Sequence, residues 1–242
     1  MKLALFDLDN TLLAGDSDHA WGQFLCDVGA VDSERFRAEH DRFYADYCAG
    51  TLDIRAFCRM AFEPLARHDP AKLAAWHAQF MQERIEPMIA PAAAALLEHH
   101  RARGEQLVII TATNRFVTAP IAALLDIEHL IATDPEVIDG RYTGELAGIP
   151  CFQQGKIARL EIWCGEHGLD PKQTRAAIAG ATFYSDSRND LPLLERVATP
   201  VAVDPDERLK EVAGERGWSC LTLRAGPTPA PCPGASSPQR PA

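Results

Sequence analysis

Two carboxylates near the start of the chain form the first candidate site. Asp7 and Asp9 lie in "FDLDNT" (residues 6–11), which follows directly on an apolar run. Aspartate is depleted in strands because its side chain competes with the backbone for hydrogen bonds. Two aspartates at this place indicate either a turn or chemistry, since a carboxylate can act as a nucleophile or as a general acid and base.

Polar residues also mark three later segments. "TAT" (residues 111–113) ends a second apolar run, Lys156 opens an amphipathic stretch, and "SDSRND" (residues 185–190) ends a third apolar run. With Asp186 and Asp190 the carboxylates number four, and like charges raise one another's pKa unless a cation such as Mg²⁺, which prefers oxygen ligands, offsets them. Together with a lysine and a threonine hydroxyl, the set suits a phosphoryl group.

Each segment also has a purely structural explanation. A lone D-x-D-x-T is often a turn, and Asp190 before "LP" could simply cap a helix. Lys156 could be a solvated lysine, although a cation in the first turn of a helix opposes the helix dipole by roughly 0.3–1 kcal/mol. The joint occurrence of all four, each at the proper end of its element, is what indicates a shared site.

The elements that would hold these residues alternate between strand and helix. "EQLVIITAT", "ATFYSD" and "PVAV" have the composition of buried strands, and amphipathic stretches separate them. The alternation predicts an α/β fold, with a Rossmann-like parallel sheet and helices on both faces. Ligands bind beyond the carboxyl ends of the strands in such sheets, which is where the four segments would meet.

A long helical stretch interrupts the alternation between the first and second strands. Residues 16–88 hold 10 of the 18 aromatic residues and predict a small helical cap. Residues 1–15 and 89–223 are then the catalytic core, within which "DPEVIDGRYTGEL" is expected to be a turn-rich loop. Residues 224–242 hold six prolines without periodicity and predict a disordered tail.

Composition limits the class of protein. A formal net charge of −10 argues against a nucleic-acid or anionic-membrane partner. Seven scattered cysteines without a C-x-x-C pair predict reduced thiols, and the eight histidines, without metal spacing, are expected to be core or surface residues. Asp7 and Asp9 interrupt any signal-peptide apolar region, and no apolar run reaches the roughly 18 residues of a membrane span. The expected location is the cytoplasm.

The sequence lacks the motifs of other classes of phosphatase, phosphate-binding protein and hydrolase. No cysteine is followed by arginine in a Cys-x₅-Arg pattern, and neither H-E-x-x-H nor G-x-S-x-G occurs. The "GK" at Gly155 is not a phosphate-binding loop, because Pro150 stands where its first glycine should be and Ile157 follows the lysine.

The four ordered segments resemble the motifs of the haloacid dehalogenase superfamily of phosphatases, over a range from Lys2 to about Leu223. The helical insertion is similar to the cap of the phosphoserine phosphatase-like branch. The resemblance implies a magnesium-dependent phosphomonoester hydrolase that works through an aspartyl-phosphate. By it, Asp7 is the nucleophile and Asp9 the general acid and base.

The resemblance also implies how the other residues act. Mg²⁺ would be held by the side chains of Asp7 and Asp186 and by the backbone carbonyl of Asp9. The remaining residues would bind the phosphoryl group or steady the metal site: Thr111, Ala112 and Lys156 for the phosphoryl group, and Asn189 and Asp190 for the metal site.

One departure from the family pattern and one match to it bear on the substrate. Thr111-Ala112-Thr113 stands where phosphoserine phosphatases have Ser-Gly-Gly, and Asp16 stands where that branch has an acid that recognises the substrate amine. A small amine-bearing phosphorylated metabolite, such as histidinol phosphate or phosphoserine, would fit. A phosphotransferase with the same intermediate, or a receiver-like signalling module, are the alternatives. No motif specifies the oligomeric state.

Overall fold

The structure is a computed structural model, and it describes residues 1–232. The part of the predicted tail from 233 to 242 lies outside the described residues. One sheet crosses the molecule, and its strands in chain order are β1 (Leu3–Phe6), β2 (Gln106–Asn114), β3 (His129–Ile138), β4 (Arg141–Ala147), β5 (Thr182–Ser185), β6 (Thr199–Val203), β7 (Ser219–Thr222) and β8 (Ala230–Pro231).

The α-helices lie before, between and after these strands. In chain order they are α1 (Ser17–Asp27), α2 (Ser33–Ala49), α3 (Ile54–Arg67), α4 (Pro70–Phe80), α5 (Ala93–Arg101), α6 (Arg115–Leu124), α7 (Gln154–Glu166), α8 (Pro171–Ala179), α9 (Leu191–Leu194) and α10 (Glu207–Arg216). Among residues 1–232 no helix is both long and apolar enough to cross a membrane.

The sheet has the strand order β4-β3-β2-β1-β5-β6-β7-β8. Its six inner strands are parallel, and the two edge strands β4 and β8 run antiparallel to their neighbours. β1 lies in the middle, with Phe6 opposite Ile109 of β2 and Tyr184 of β5. The chain therefore leaves β1 at the point where the strand order reverses, which is where open α/β sheets bind ligands.

Alternate residues of β1 face two separate apolar cores. Ala4 and Phe6 belong to the core beneath α1, α5 and α6, whereas Leu3 and Leu5 belong to the core beneath α7 to α10. A strand buried on both faces reads as a continuous apolar run, because neither face is solvated. The prediction of an α/β fold with helices on both faces of the sheet is confirmed.

Helices α1 to α4 fall within the range that the sequence predicted as a cap, and each begins at an aspartate. The side chains of the four N-cap residues accept hydrogen bonds from backbone N–H groups of the first turn; these residues are Asp16, Asp32, Asp53 and Asp69. Trp21 of α1 and Phe80 of α4 join the core beside the sheet, whereas Phe36 and Phe43 of α2 pack in a separate cluster with Met60 of α3.

Two segments differ from the sequence-based expectation. The predicted turn-rich loop is the β3–β4 hairpin, whose turn residues Asp139 and Gly140 both have positive φ, 50° and 75°. Asp-Gly between alternating residues is a strong hairpin signal, because a two-residue turn of this kind matches the strand twist. Helix α8 was not predicted; Asp170 and Gln173 form a capping box at its start.

The C-terminal segment is more ordered than expected. β8 pairs with β7, and Cys232 forms a disulfide with Cys220. The predictions of disorder from residue 224 and of reduced cysteines are therefore wrong for residues 224–232 and for this pair. The antiparallel pairing brings the two Cα atoms to 5.4 Å, and a separation of 12 residues in the sequence does not by itself predict this proximity. The other cysteines are free.

Candidate active site

One cleft lies beyond the carboxyl ends of β1, β2 and β5, beneath α1 and α2, with a volume of about 420 Å³. All nine site residues that the sequence predicted line it. They come from four separate segments and from the start of α1: Asp7, Asp9, Asp16, Thr111, Ala112, Lys156, Asp186, Asn189 and Asp190.

The turn after β1 presents the first two carboxylates in different directions. The Asp7 N–H donates to the Tyr184 carbonyl (2.9 Å), which continues the strand pairing as far as the turn. The chain then reverses through Asn10, which has φ 56°. Asp9 is turned towards α1, because its Oδ1 accepts from the Ser17 N–H at 2.6 Å and its Oδ2 from the Thr113 hydroxyl at 2.7 Å.

Burial raises the pKa of both carboxyl groups to about 7. For Asp7, the nearby Lys156 ammonium counteracts the burial, and the Asp190 carboxylate adds to it. For Asp9, the charge of Asp16 adds to the burial, and the bonds from Ser17 counteract it. A carboxyl group with a pKa near neutrality can both hold and release a proton at physiological pH, as a general acid and base must.

Lys156 joins two of the carboxylates. Its Nζ donates to Asp7 Oδ1 at 2.8 Å and to Asp190 Oδ2 at 2.7 Å, and its side chain is 3% exposed. The Ser185 hydroxyl donates to the same Asp190 oxygen (2.7 Å) and so fixes that side chain. Burial lowers the pKa of Lys156, but Asp190 and Asp7 outweigh it and keep the ammonium charged.

A close backbone approach places Lys156 in the cleft. At Gly155, a Cβ would lie 2.0 Å from the Pro150 carbonyl oxygen, so only glycine fits at this position. Gln153, just before α7, has φ 49° and ψ −119°, a strained conformation for a residue with a side chain. The Gln153 side-chain amide donates to Asn189 Oδ1 (3.1 Å), which ties this turn to the "SDSRND" segment.

The carboxylates supply hard oxygen donors that fit a divalent cation. Asp186 Oδ1 accepts a hydrogen bond from the Thr11 hydroxyl at 3.2 Å, and burial together with the charge of Asp7 raises the pKa of Asp186. Residues 1–232 contain no cluster of three His, Cys, Asp or Glu side chains with metal-binding geometry. The donor set implied by the resemblance consists of the side chains of Asp7 and Asp186 and the backbone carbonyl of Asp9. The Asp9 carboxylate is turned towards α1, which agrees with a ligand role for its carbonyl and not for its side chain.

The end of β2 offers polar groups to a phosphoryl oxygen. Thr111 Oγ1 accepts from the Thr113 N–H (3.2 Å), so the hydroxyl proton of Thr111 is free to donate into the cleft. The Ala112 carbonyl is turned away, because it accepts from the Thr133 hydroxyl at 2.7 Å. Thr113 has a contact that the sequence did not indicate, since nothing in the sequence links a hydroxyl after β2 to Asp9.

The wall formed by the helical segment carries acids, histidines and aromatic rings. Asp16 caps α1 and has a pKa raised to about 6 by burial and by the charge of Asp18. His40 of α2 lies 3.5 Å from Asp18 through its Nε2. Burial lowers the pKa of His40, but the Asp18 carboxylate outweighs this effect and leaves it raised. Sequence reasoning missed Asp18 and His40, which stand on different helices and share no motif.

Three hydrogen bonds hold the end of α2 against the "SDSRND" segment. The Tyr47 hydroxyl donates to Ser187 Oγ (2.9 Å), and the Asn189 amide donates to the Tyr47 carbonyl (3.2 Å). Arg188 donates to the Cys48 carbonyl at 3.5 Å. The last carbonyls of a helix can accept bonds from outside it, so the amide and the guanidinium bind two of them, and the three bonds together hold α2 against this side of the cleft.

Comparison with known proteins identifies the family. The family model described as haloacid dehalogenase-like hydrolase matches residues 4–195. The histidinol-phosphatase of Neisseria meningitidis is 44% identical over 224 residues, which cover 92% of this chain and 99% of the relative. The phosphoserine phosphatase SerB1 of Mycobacterium tuberculosis is 32% identical over 91% of this chain and 70% of the relative.

Solved structures agree with this assignment. A protein of unknown function from Bordetella pertussis superimposes with a TM-score of 0.84 at 44% identity, over 92% of this chain and 98% of that one. A substrate-bound phosphoserine phosphatase superimposes with a TM-score of 0.61 at 18% identity, over 87% and 89%, and shares the fold. The family is one of enzymes, which removes the receiver-like alternative. The chain belongs to the haloacid dehalogenase-like hydrolases and is a phosphatase of that family.

Proposed function

We propose that this phosphatase is a magnesium-dependent phosphomonoester hydrolase that acts on histidinol phosphate through an aspartyl-phosphate at Asp7. The observation that carries the substrate class is the charge of the helical wall of the cleft. Asp16 and Asp18 stand there beside aromatic rings, and no lysine or arginine of residues 16–88 lines the cleft. Such a wall suits a substrate that carries a cation and no carboxylate.

The first half-reaction forms the acyl-phosphate. An Asp7 carboxylate oxygen attacks phosphorus in line with the leaving oxygen, and the P–O bond to the alcohol breaks. Asp9, with a pKa near 7, donates its proton to the leaving oxygen, so that the alcohol departs neutral. Lys156 holds Asp7 in place and offsets negative charge, and the Thr111 hydroxyl donates to a phosphoryl oxygen.

The second half-reaction regenerates the enzyme. Asp9, now a carboxylate, takes a proton from water, which attacks phosphorus and displaces Asp7 as inorganic phosphate forms. A bound Mg²⁺, held by Asp7, Asp186 and the Asp9 carbonyl and steadied by Asn189 and Asp190, would neutralise the charge on the phosphoryl oxygens. The contact of α2 with the "SDSRND" segment covers one side of the cleft and so limits the access of bulk water.

Substrate preference follows from the wall. Phosphoserine carries a carboxylate, and the helical wall has no lysine or arginine to pair with it. Histidinol phosphate instead has an alkyl group and an imidazole, which can pack on the aromatic rings of this wall. Arg188 and Arg208 line the cleft from the core side, where the Arg188 guanidinium donates to the Cys48 carbonyl and the Arg208 guanidinium pairs with Glu211. The name of the Neisseria relative supports the same substrate.

A turnover panel tests this proposal. With Mg²⁺ present, phosphate release is measured for histidinol phosphate, phosphoserine and 4-nitrophenyl phosphate. We expect kcat/KM for histidinol phosphate to exceed that for phosphoserine at least tenfold, and we expect EDTA and Asp7→Asn to abolish all turnover. A preference for phosphoserine contradicts the substrate assignment, and full activity of Asp7→Asn contradicts the mechanism.

The same assay distinguishes hydrolase from phosphotransferase. If an added alcohol acceptor captures the phosphoryl group, substrate consumption exceeds phosphate release; we expect the two to be equal. We also propose that residues 16–88 act as a cap over the core and that the enzyme works in the cytoplasm, for which the five free cysteines among the seven are the support. Fractionation of cells that express the chain tests the location.

A further inference from the structure

We propose that His40 and Asp18 form the specificity subsite that binds the amine-bearing part of the substrate. This inference rests on the proposed function, and it assigns the recognition of the substrate N–H groups to a pair outside the four sequence motifs. The pair lies on the helical wall of the cleft, and the groups that would bind the phosphate line the same cleft.

An unpartnered buried nitrogen is the first observation. His40 is 8% exposed, yet its Nδ1 has no hydrogen-bond partner, although the residue lines the cleft. A buried polar atom without a partner costs free energy that a purely structural histidine would avoid. A ligand in the cleft that offers an N–H group would satisfy it.

The surroundings of the ring determine which atom is left for a ligand. The His40 Nε2 edge faces α1, with Asp18 Oδ2 at 3.5 Å, and the other Asp18 oxygen accepts from the Asn114 amide at 3.4 Å. Asp18 outweighs burial and raises the pKa of His40, and above that pKa the neutral ring carries its proton on Nε2, next to the carboxylate, so that Nδ1 is a hydrogen-bond acceptor. The negative charge of Asp18 favours a donor that is also a cation, such as an alkylammonium group.

The position of the pair fits a small substrate. Asp18 follows Ser17, whose N–H donates to Asp9, so the subsite begins one residue along the chain from the contact with the general acid. The His40 ring packs edge-on against Phe57, and Tyr44 lines the same wall. A phosphomonoester with its amine a few bonds from the phosphate can reach from Thr111 to this wall.

A matched pair of substitutions tests the assignment. Asn places a polar atom where His has Nδ1, and Gln places one where His has Nε2. We expect His40→Gln to raise KM for histidinol phosphate about tenfold with kcat within twofold, and His40→Asn to stay within threefold of the unsubstituted enzyme. With both variants, kcat/KM for 4-nitrophenyl phosphate, which has no amine, should stay within twofold.

A second probe pair separates this inference from the identity of the substrate. Phosphoethanolamine and ethyl phosphate differ by one ammonium group. The unsubstituted enzyme should prefer phosphoethanolamine, and His40→Gln should lose this preference. A preference for the amine without turnover of histidinol phosphate supports the subsite and overturns the substrate assignment. No preference for the amine, or an equal loss on both probes in His40→Gln, overturns the subsite.

Binding without turnover gives an independent readout. Calorimetry with histidinol, the dephosphorylated product, should show about tenfold weaker binding to His40→Gln and to Asp18→Asn than to the unsubstituted protein. Asp18→Asn also serves if His40→Gln fails to fold, as judged by its melting temperature. Unchanged histidinol binding in a folded variant overturns the inference even if catalysis is altered.

Discussion

Replacement of Lys156 by methionine separates the structural role of the buried ammonium from its catalytic one. The change keeps the length and apolar stem of the side chain and removes the one charge that contacts both Asp7 and Asp190. Both carboxylates have side chains less than 10% exposed. Removal of one partner from a buried ion pair costs about 3–5 kcal/mol, because the other charge stays buried without compensation.

The loss should depend on pH in a definite direction. The pKa of Asp7 in the folded protein, about 7, lies above the 3.8 of an aspartate in the unfolded chain. The neutral form of Asp7 therefore contributes stability that is fully present below pH 3.8 and is lost as the pH rises through about 7. Without Lys156 the pKa of Asp7 in the folded protein rises further. The loss of unfolding free energy in Lys156→Met should therefore be larger at pH 8 than at pH 5.

Equilibrium unfolding in guanidinium chloride, followed by tryptophan fluorescence in EDTA, measures this cost. Lys210→Met is the matched control, because Lys210 is exposed on α10. We expect a loss of about 3–5 kcal/mol at pH 8 for Lys156→Met and a change within about 0.5 kcal/mol for the control. A loss below about 1 kcal/mol at pH 8, or an equal loss at pH 5 and pH 8, refutes the reasoning.

Three further predictions follow from the site and the C-terminal segment. Gly155→Ala places a Cβ 2.0 Å from a backbone carbonyl oxygen and should lower the free energy of unfolding, measured by thermal denaturation, by about 1–3 kcal/mol. The control Gly165→Ala, on the same helix, places its Cβ in open space and should leave the stability unchanged or raise it. Cys232→Ser should lower the unfolding free energy by up to about 3 kcal/mol through lost loop closure, and dithiothreitol should then have no further effect; an equal effect of dithiothreitol on the variant contradicts this. Asp9→Asn should accumulate phosphorylated Asp7, visible by intact mass spectrometry after mixing with substrate, and the absence of any adduct while slow turnover persists contradicts the assigned roles.

The sequence by itself determined the sheet and the main site segments. The apolar run at Leu3–Phe6 is continuous because β1 is buried on both faces, and that pattern is visible without coordinates. The polar residues after each strand must converge, because parallel strands end at one edge of the sheet. For this reason Asp7, Lys156 and Asp186 could be assigned to one cleft before any distance was known.

Two further elements have local signals in the sequence. Asp139-Gly140 marks the hairpin that was expected to be a loop, and Asp170 with Gln173 marks the start of α8. Both signals depend on short-range backbone chemistry, a turn with positive φ and a capping box, so a sequence reading could have found them.

Contacts between distant segments were decided by the tertiary structure alone. His40 meets Asp18 because α2 packs on α1, and Cys220 meets Cys232 because β8 returns along β7. The Thr113 hydroxyl reaches Asp9 across 104 positions of sequence. Pairings of this kind depend on the angle and register of packed elements, which arise from the whole core. The sequence therefore indicates the chemistry of the phosphoryl group, whereas the wall that selects the rest of the substrate exists only in the folded chain.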